Sequence, residues 1–177
     1  LISVLMFNPK LDISFGDALV NGPDGKLILS GLLSDVVVED AEVNLSANLV
    51  TAKLNLPIDI IAHEQLTLNV ASFVVGAPIC SELQGDVHWR NAALTAFDEK
   101  VTLGGLSANL SCKKGEVIAE VEPKNNLGLS FKAQIKQGGR FTGSGYLTPG
   151  EKFPAQLESA LSFLGTPDRK GRYRLKI

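Results

Sequence analysis

The sequence predicts a mainly β protein, built as an antiparallel curved sheet or a two-layer β structure with one short helix near the C-terminus. Apolar and polar residues alternate with a period of two along most of the 177 residues, which is typical of half-buried strands. Short turn clusters separate the alternating runs. Only the segment after Pro154 has a convincing helical spacing of apolar residues. A chain of this length can bury a sizeable core.

The alternating runs predict about nine to eleven strands. Between Gly104 and Leu147 the pattern predicts an unbroken meander of four strands. The turn clusters that supply the connections are Asn21–Gly25, Lys113–Gly115, Asn125–Asn126 and Gln137–Gly139. We therefore expect antiparallel hairpins rather than crossover connections.

One short sequence occurs twice. Leu45–Leu49 reads LSANL, and so does Leu106–Leu110, and we predict a strand at both places. Five common residues can recur by chance, or the repeat indicates two related β layers, about residues 1–77 and 78–177. We expect residues 1–177 to form a single β-rich domain in either case.

The tail of the chain predicts a helix and a final strand. Pro154 is suited to a first helical position, and the apolar residues that follow it lie on one helical face up to Leu164. Gly165 is suited to the left-handed conformation that ends a helix. Residues 172–177 then alternate as a strand. A short helix followed by a strand would cover a sheet face or edge.

The charge balance excludes a nucleic-acid partner. The formal net charge is −2, and the basic residues form no stripe. Lys113–Lys114 and Asp168–Arg172 are predicted to be polar turns. No apolar run approaches the length that spans a bilayer, about 20 residues. Because Leu1 opens directly into an apolar run without a start methionine, we expect a mature form or fragment, with any signal or anchor upstream of it.

No motif for catalysis, cofactor binding or metal binding is present, so we predict no such site residues and no enzyme activity. His63 and His88 are the only histidines, and each is interpreted as structural or as a surface residue. Asp86 and His88 would share one strand face, but two ligands do not make a metal site. Trp89 is interpreted either as a core residue near Cys80 or as an interface residue. Cys80 and Cys112 are free thiols in an intracellular protein or a disulfide in an exported one.

Several segments together resemble protein N of the bacterial type II secretion system. In the tail these are Gly145–Pro149, the predicted helix, Leu164–Asp168 and Gly171–Tyr173. Further upstream, Cys80 followed by Gly85, Val87 and Trp89 is similar to the cysteine and Gly-x-Val-x-Trp segment of that family, and Leu110–Gly115 resembles its second cysteine and turn. The matches occur in order along about the last hundred residues, whereas residues 1–76 match weakly.

The resemblance implies a periplasmic domain at the inner membrane, held there by an N-terminal helix outside this chain. An oxidising compartment favours a Cys80–Cys112 disulfide. The family is grouped with AsmA-like proteins, which implies a curved sheet whose apolar concave face could hold lipid.

Two functions follow as hypotheses. The first is a non-enzymatic accessory component of the type II secretion system, which contacts other secretion components in the periplasm and supports export of folded proteins across the outer membrane. The alternative is a module that binds lipid or another hydrophobic ligand on the concave face of its sheet.

Overall fold

The computed structural model describes residues 9–16, 22–31, 36–52 and 59–177, and it contains one open antiparallel sheet of eleven strands. The strands are β1 (Lys10–Phe15), β2 (Asp24–Ser30), β3 (Val37–Ser46), β4 (Ile60–His63), β5 (Gln65–Val75), β6 (Cys80–Ala96), β7 (Glu99–Lys113), β8 (Glu116–Val121), β9 (Leu129–Lys136), β10 (Arg140–Leu147) and β11 (Tyr173–Lys176). One α-helix, α1 (Ala47–Thr51), follows β3. Short 3₁₀ helices occupy Gln137–Gly139, Ala155–Leu157 and Ser159–Leu164.

The order of strands across the sheet is almost the order along the chain. It runs β1-β2-β3-β5-β6-β7-β8-β9-β10-β11, and β4 pairs separately with the second half of β6. A mainly β chain with antiparallel hairpins and a short helix near the C-terminus is therefore confirmed, and so is the meander β7–β10. The strands form one sheet rather than two layers, because β5 and β6 pair with each other across residues 76–79.

The long hairpin β6–β7 lies at the centre of this sheet. Its strands of 17 and 15 residues pair with each other, while the two halves of β6 pair on the opposite side with β5 and β4. Register shifts between Trp89 and Ala93 interrupt the ladder between the strands. Such bulges bend a strand and increase its twist. The buried core cluster of the described residues, namely Ala92, Val101, Leu103 and Leu127, lies at this bend.

A disulfide joins Cys80 at the start of β6 to Cys112 near the end of β7, with 6.1 Å between their Cα atoms. It closes the open end of the hairpin across a sequence separation of 32 residues. A loop of that length corresponds to about 3–4 kcal/mol of stabilisation in the chain-entropy model. The side chain of Cys80 is buried.

One strand prediction was wrong, and it involves the repeated sequence LSANL. The second copy, Leu106–Leu110, is strand throughout, as predicted. In the first copy the strand ends at Ser46, and α1 begins at Ala47. Ala47 is buried and donates its backbone N–H to the carbonyl of Glu64, while the side chain of Asn48 accepts a hydrogen bond from Ala62. Tertiary contacts with β4 therefore decide the conformation of an ambiguous sequence.

The turn predictions are confirmed at the β7–β8 and β9–β10 connections, which contain Lys114–Gly115 and Gln137–Gly139. At the first predicted turn, Asn21 lies outside the described residues, and Asp24–Gly25 belong to β2 instead. Gly25 pairs with Phe15 on one side and Val43 on the other. A Cβ at Gly25 would meet the backbone carbonyl of Glu42 first and the ring of Phe15 after it. The close approach of the β3 backbone therefore explains the glycine at this position in the strand.

Gly115 and Gly138 provide a matched test of what the β7–β8 turn requires. Both have a positive φ, +79° and +78°. A Cβ at Gly115 would overlap Cδ of Pro78, whereas a Cβ at Gly138 would meet nothing within 4 Å. We expect Gly138→Ala to lower the free energy of unfolding by about 1–2 kcal/mol, the backbone cost alone. Gly115→Ala should lower it by about 1–3 kcal/mol more, because the loop beside the disulfide must move. Urea unfolding measures both, and equal losses would contradict the close packing of this turn.

Candidate functional site

An apolar cavity of about 340 Å³ lies between the sheet and the tail of the chain. Its lining side chains are all aliphatic or aromatic. The sheet contributes residues from β4, β6, β7, β9, β10 and β11, and the tail contributes residues between Phe153 and Leu164. Binding pockets are commonly at least of this size and mostly apolar, so this cavity is the leading candidate site.

The floor of the cavity is built by alternation along β6, β7, β9 and β10. Trp89 pairs with Leu106, and Leu129 pairs with Leu147, so the four side chains lie on the same face of the sheet. Leu103, on β7 beyond the bulge, is 2% exposed. The floor of the cavity is therefore packed against the buried core cluster.

The roof of the cavity is the predicted tail helix, which forms two 3₁₀ segments rather than one α-helix. Hydrogen bonds run from Leu157 to Pro154 and from Leu161 to Glu158, the i to i+3 spacing of a 3₁₀ helix. No side chain caps either segment. Helices this short are marginal in water, so packing against the sheet sets their geometry. Gly165 ends the segment, as its sequence position predicted, but with φ of +88° and ψ of −153° it adopts an extended positive-φ conformation and not the left-handed helical one.

Phe97 and Phe163 connect the roof to the tip of the β6–β7 hairpin. The two rings are stacked with 5.9 Å between their centroids, although both side chains are largely exposed. Phe97 and Asp98 form a two-residue turn, both with a positive φ, which hairpins usually reserve for Asn and Gly. A phenylalanine in this conformation costs about 1–3 kcal/mol. The stacking of the Phe97 ring on Phe163 of the tail offsets part of this conformational cost.

Trp89 lies in the wall of the cavity. Its indole N–H donates a hydrogen bond of 2.8 Å to the carbonyl of His63, and the side chain is half-buried. Trp89 lies beside the tail. It is nine residues along β6 from Cys80, so the expectation that it packs near that cysteine is wrong. The reason is that β6 stays extended over its whole length.

On the opposite, polar face of the sheet, Asp86, His88 and Ser107 form a hydrogen-bonded row. Nε2 of His88 lies 2.7 Å from Oδ2 of Asp86, and Nδ1 of His88 lies 2.9 Å from Oγ of Ser107. Asn69 donates to the same carboxylate oxygen. The order of carboxylate, imidazole and hydroxyl is that of a hydrolase triad, but the two ring nitrogens of His88 have exchanged partners. Ser107 also lies within a strand paired on both sides, which leaves its backbone no oxyanion hole. The row is a cross-strand polar network.

His63 is also engaged locally, since its Nε2 lies 2.8 Å from Oγ1 of Thr95 on the neighbouring strand. Among the described residues no group of three His, Cys, Asp or Glu side chains could hold a metal ion.

The polar face carries a charged cluster over β8 and β9. Lys132 donates a hydrogen bond of 2.5 Å to Glu120, and Lys113 lies 3.8 Å from the same oxygen. The hydrogen bond from Lys132, reinforced by both positive charges, lowers the pKa of Glu120 from its ordinary value. Shallow polar depressions continue from here over β10 and β11.

The turn before β11 is organised by Asp168. Its carboxylate accepts hydrogen bonds from the side chain of Arg172 and from the backbone N–H groups of Lys170 and Arg172. Arg172 in turn lies over the ring of Tyr146, 4.2 Å from its centroid. This turn therefore fixes the entry of the chain into the last strand.

A family model described as type II secretion system (T2SS), protein N, matches residues 1–176. The chain belongs to this family. It is similar to type II secretion system protein N of Aeromonas hydrophila, with 29% identity over 98% of the chain and 69% of that relative. It is also similar to the proteins of the same name from Vibrio cholerae (26% identity, 98% of the chain, 69% of the relative) and Klebsiella pneumoniae (28%, 93% and 65%). No solved structure gives a significant match.

The family match confirms the resemblance that the sequence predicted, and it extends over residues 1–76, where the motifs were weak. Sequence reasoning did not find the cavity itself, because its residues come from six strands and the tail. Leu103 carried no distinguishing signal, and Phe97 could have been noticed only as an unusual residue before Asp98 at a hairpin turn.

Acid should loosen the turn at Asp168. The hydrogen bonds from Arg172 lower the pKa of this carboxyl from 3.8 to about 2. A lowered folded-state pKa means that the stabilisation is present above pH 3.8 and is lost as the pH falls towards 2. We expect NMR signals of Arg172 and Tyr146 to shift together in that window. In Asp168→Asn the shift should disappear, and its persistence would assign the titration to another group.

Proposed function

We propose that this chain is a non-enzymatic accessory part of the type II secretion system that works through protein contacts in the periplasm and so supports export of folded proteins across the outer membrane. Membership of the protein N family supports the assignment to that machinery. The observation that carries the contact role is the open sheet: β1 and β11 stand at opposite ends of the strand order and do not pair with each other. Open ends allow further strands or partners to add.

The absence of catalysis is part of this proposal. Both histidines are engaged in cross-strand hydrogen bonds, and the row that resembles a triad has no oxyanion hole. The described residues therefore offer a surface for contacts and no assembled set of reacting groups.

The periplasmic location is supported by the Cys80–Cys112 disulfide, since such bonds persist in oxidising compartments. In the part of the chain that the structure describes, no helix is long and apolar enough to cross a bilayer. Anchoring to the inner membrane by a helix outside this chain remains part of the proposal.

Exposed apolar side chains at the sheet margins identify where contacts can be tested. Leu11 on β1, Ile61 on β4 and Val75 at the end of β5 are 59%, 55% and 55% exposed. A photo-crosslinking amino acid at each of these positions should capture other secretion components in cells that secrete. The same amino acid at Asn109, on the polar face of β7, is the control and should capture few. Capture of no secretion component at any margin position, in a strain that still secretes, would argue strongly against the proposal.

A second candidate function has support from the cavity. A wholly apolar cavity of about 340 Å³ beneath a roof of short 3₁₀ helices can hold an acyl chain. Trp89 would then contact the ligand, because it lines the cavity wall.

Two alanines of the tail allow a matched test of this candidate. Ala160 lines the cavity, whereas Ala155 is exposed and does not. We expect Ala160→Trp to abolish binding of a fluorescent fatty acid and co-purification of lipid in native mass spectrometry, and Ala155→Trp to preserve both. If the unaltered protein binds neither fatty acid nor lipid, the cavity is not a lipid site.

A further inference from the structure

β11 is the last strand of the sheet, and in the part of the chain that the structure describes its outer edge pairs with no other strand. Gly143 and Ile177 exchange both backbone hydrogen bonds, at 3.1 and 3.0 Å. Because hydrogen-bonded pairs alternate along an antiparallel ladder, Leu175 and Tyr173 also face β10. The N–H and C=O groups of Arg174 and Lys176 therefore face outward. Among the described residues, no backbone hydrogen bond reaches these two residues from another element.

The side chains along this edge are cationic on one face. Arg174 and Lys176 are both exposed, and they lie on the polar face beside Tyr146 and Ser144. Two positions along a strand are about 7 Å apart, which is also the spacing of alternate side chains on a strand that pairs with it. The same edge thus presents backbone groups and positive charges in strand register.

Further cations at this corner of the sheet are uncompensated. Lys136 and Arg140 lie directly opposite each other on β9 and β10. Like charges in that arrangement destabilise a sheet. Within the described part of the chain, neither of them forms an ion pair, and neither do Arg174 and Lys176. These four cations therefore have no acidic partner within the described part of the chain. Acidic residues of another protein could pair with them.

The opposite face of β11 is apolar. Leu175 points into the wall of the cavity beneath the tail. A strand added at this edge would meet cations on one face and apolar side chains on the other. The complementary sequence alternates acidic and apolar residues.

We propose that the β11 edge accepts an extended segment of a partner protein, with alternating acidic and apolar residues, as an additional antiparallel strand. This inference rests on the proposed contact function and names the edge and the chemistry of the partner. Main-chain hydrogen bonds to Arg174 and Lys176 give affinity, and their side chains select acidic residues. An anionic membrane surface would use the same charges, but it offers no backbone that pairs with the outward N–H and C=O groups in strand register.

A charge-swap experiment tests the proposal on the intact chain. The probes are two labelled eight-residue peptides, one alternating Glu and Val and the other alternating Lys and Val, measured by fluorescence anisotropy. We expect the Glu-Val peptide to bind, and the double variant R174E/K176E to lose about tenfold or more in affinity for it while gaining the Lys-Val peptide. A peptide with the same composition in two blocks, four Glu then four Val, is the control for charge alone.

The backbone part of the proposal has its own variants. Arg174→Ala removes a charge and keeps the outward N–H, whereas Arg174→Pro removes both and leaves the pairing with β10 intact. We expect the proline variant to bind the Glu-Val peptide clearly more weakly than the alanine variant, with both folded by circular dichroism. Equal binding by the two variants would overturn strand addition.

Other outcomes are equally decisive. Failure of the Glu-Val peptide to bind, equal binding of the block peptide, or binding only to vesicles that contain phosphatidylglycerol would each overturn the inference. In the last case the cations serve a membrane surface. Crosslinks from Leu11, Ile61 or Val75 test the contact function independently of β11, so the two proposals can fail separately.

Discussion

Pairing within the hairpin β6–β7 is the constraint on which the rest of the structure depends. Every strand from β5 outward on one side, and from β8 outward on the other, attaches to the sheet through one of these two strands, and β4 pairs with β6 directly. The hairpin closes at Phe97–Asp98 and is tied at its open end by the Cys80–Cys112 disulfide. A disulfide at that position limits how far the unfolded hairpin can separate, and so favours the pairing that organises all the other strands.

The bend in the hairpin also creates the candidate site. Where the register shifts between Trp89 and Ala93, the ladder is interrupted and β6 exchanges one partner strand for another. Beyond the bend the apolar face of the sheet is covered by the 3₁₀ segments of the tail, and the apolar cavity lies between the two.

The two faces of the sheet carry different kinds of side chains, polar on one and apolar on the other. The polar face uses its histidines and carboxylates in cross-strand hydrogen bonds, including Asp86–His88–Ser107 and Glu120–Lys132. These interactions link neighbouring strands. The apolar face and the open edges remain available for contacts, as the proposed contact function requires.

The sequence by itself determined the β class, the meander from β7 to β10, the tail helix with its stop at Gly165 and the family, because alternation, turn residues and ordered motifs are local signals. It could not decide the conformation of LSANL, which is helix at Ala47 and strand at Ala108 because different neighbours satisfy the backbone. The residues alone allowed either free thiols or a disulfide for the two cysteines, and either a core or an interface position for Trp89. Only the tertiary structure brought Phe97 to Phe163, assembled the cavity from six strands and the tail, and turned the backbone of Arg174 and Lys176 outward. These features depend on which strands pair and in what register, and pairing between residues far apart in the chain leaves no periodic trace in the sequence.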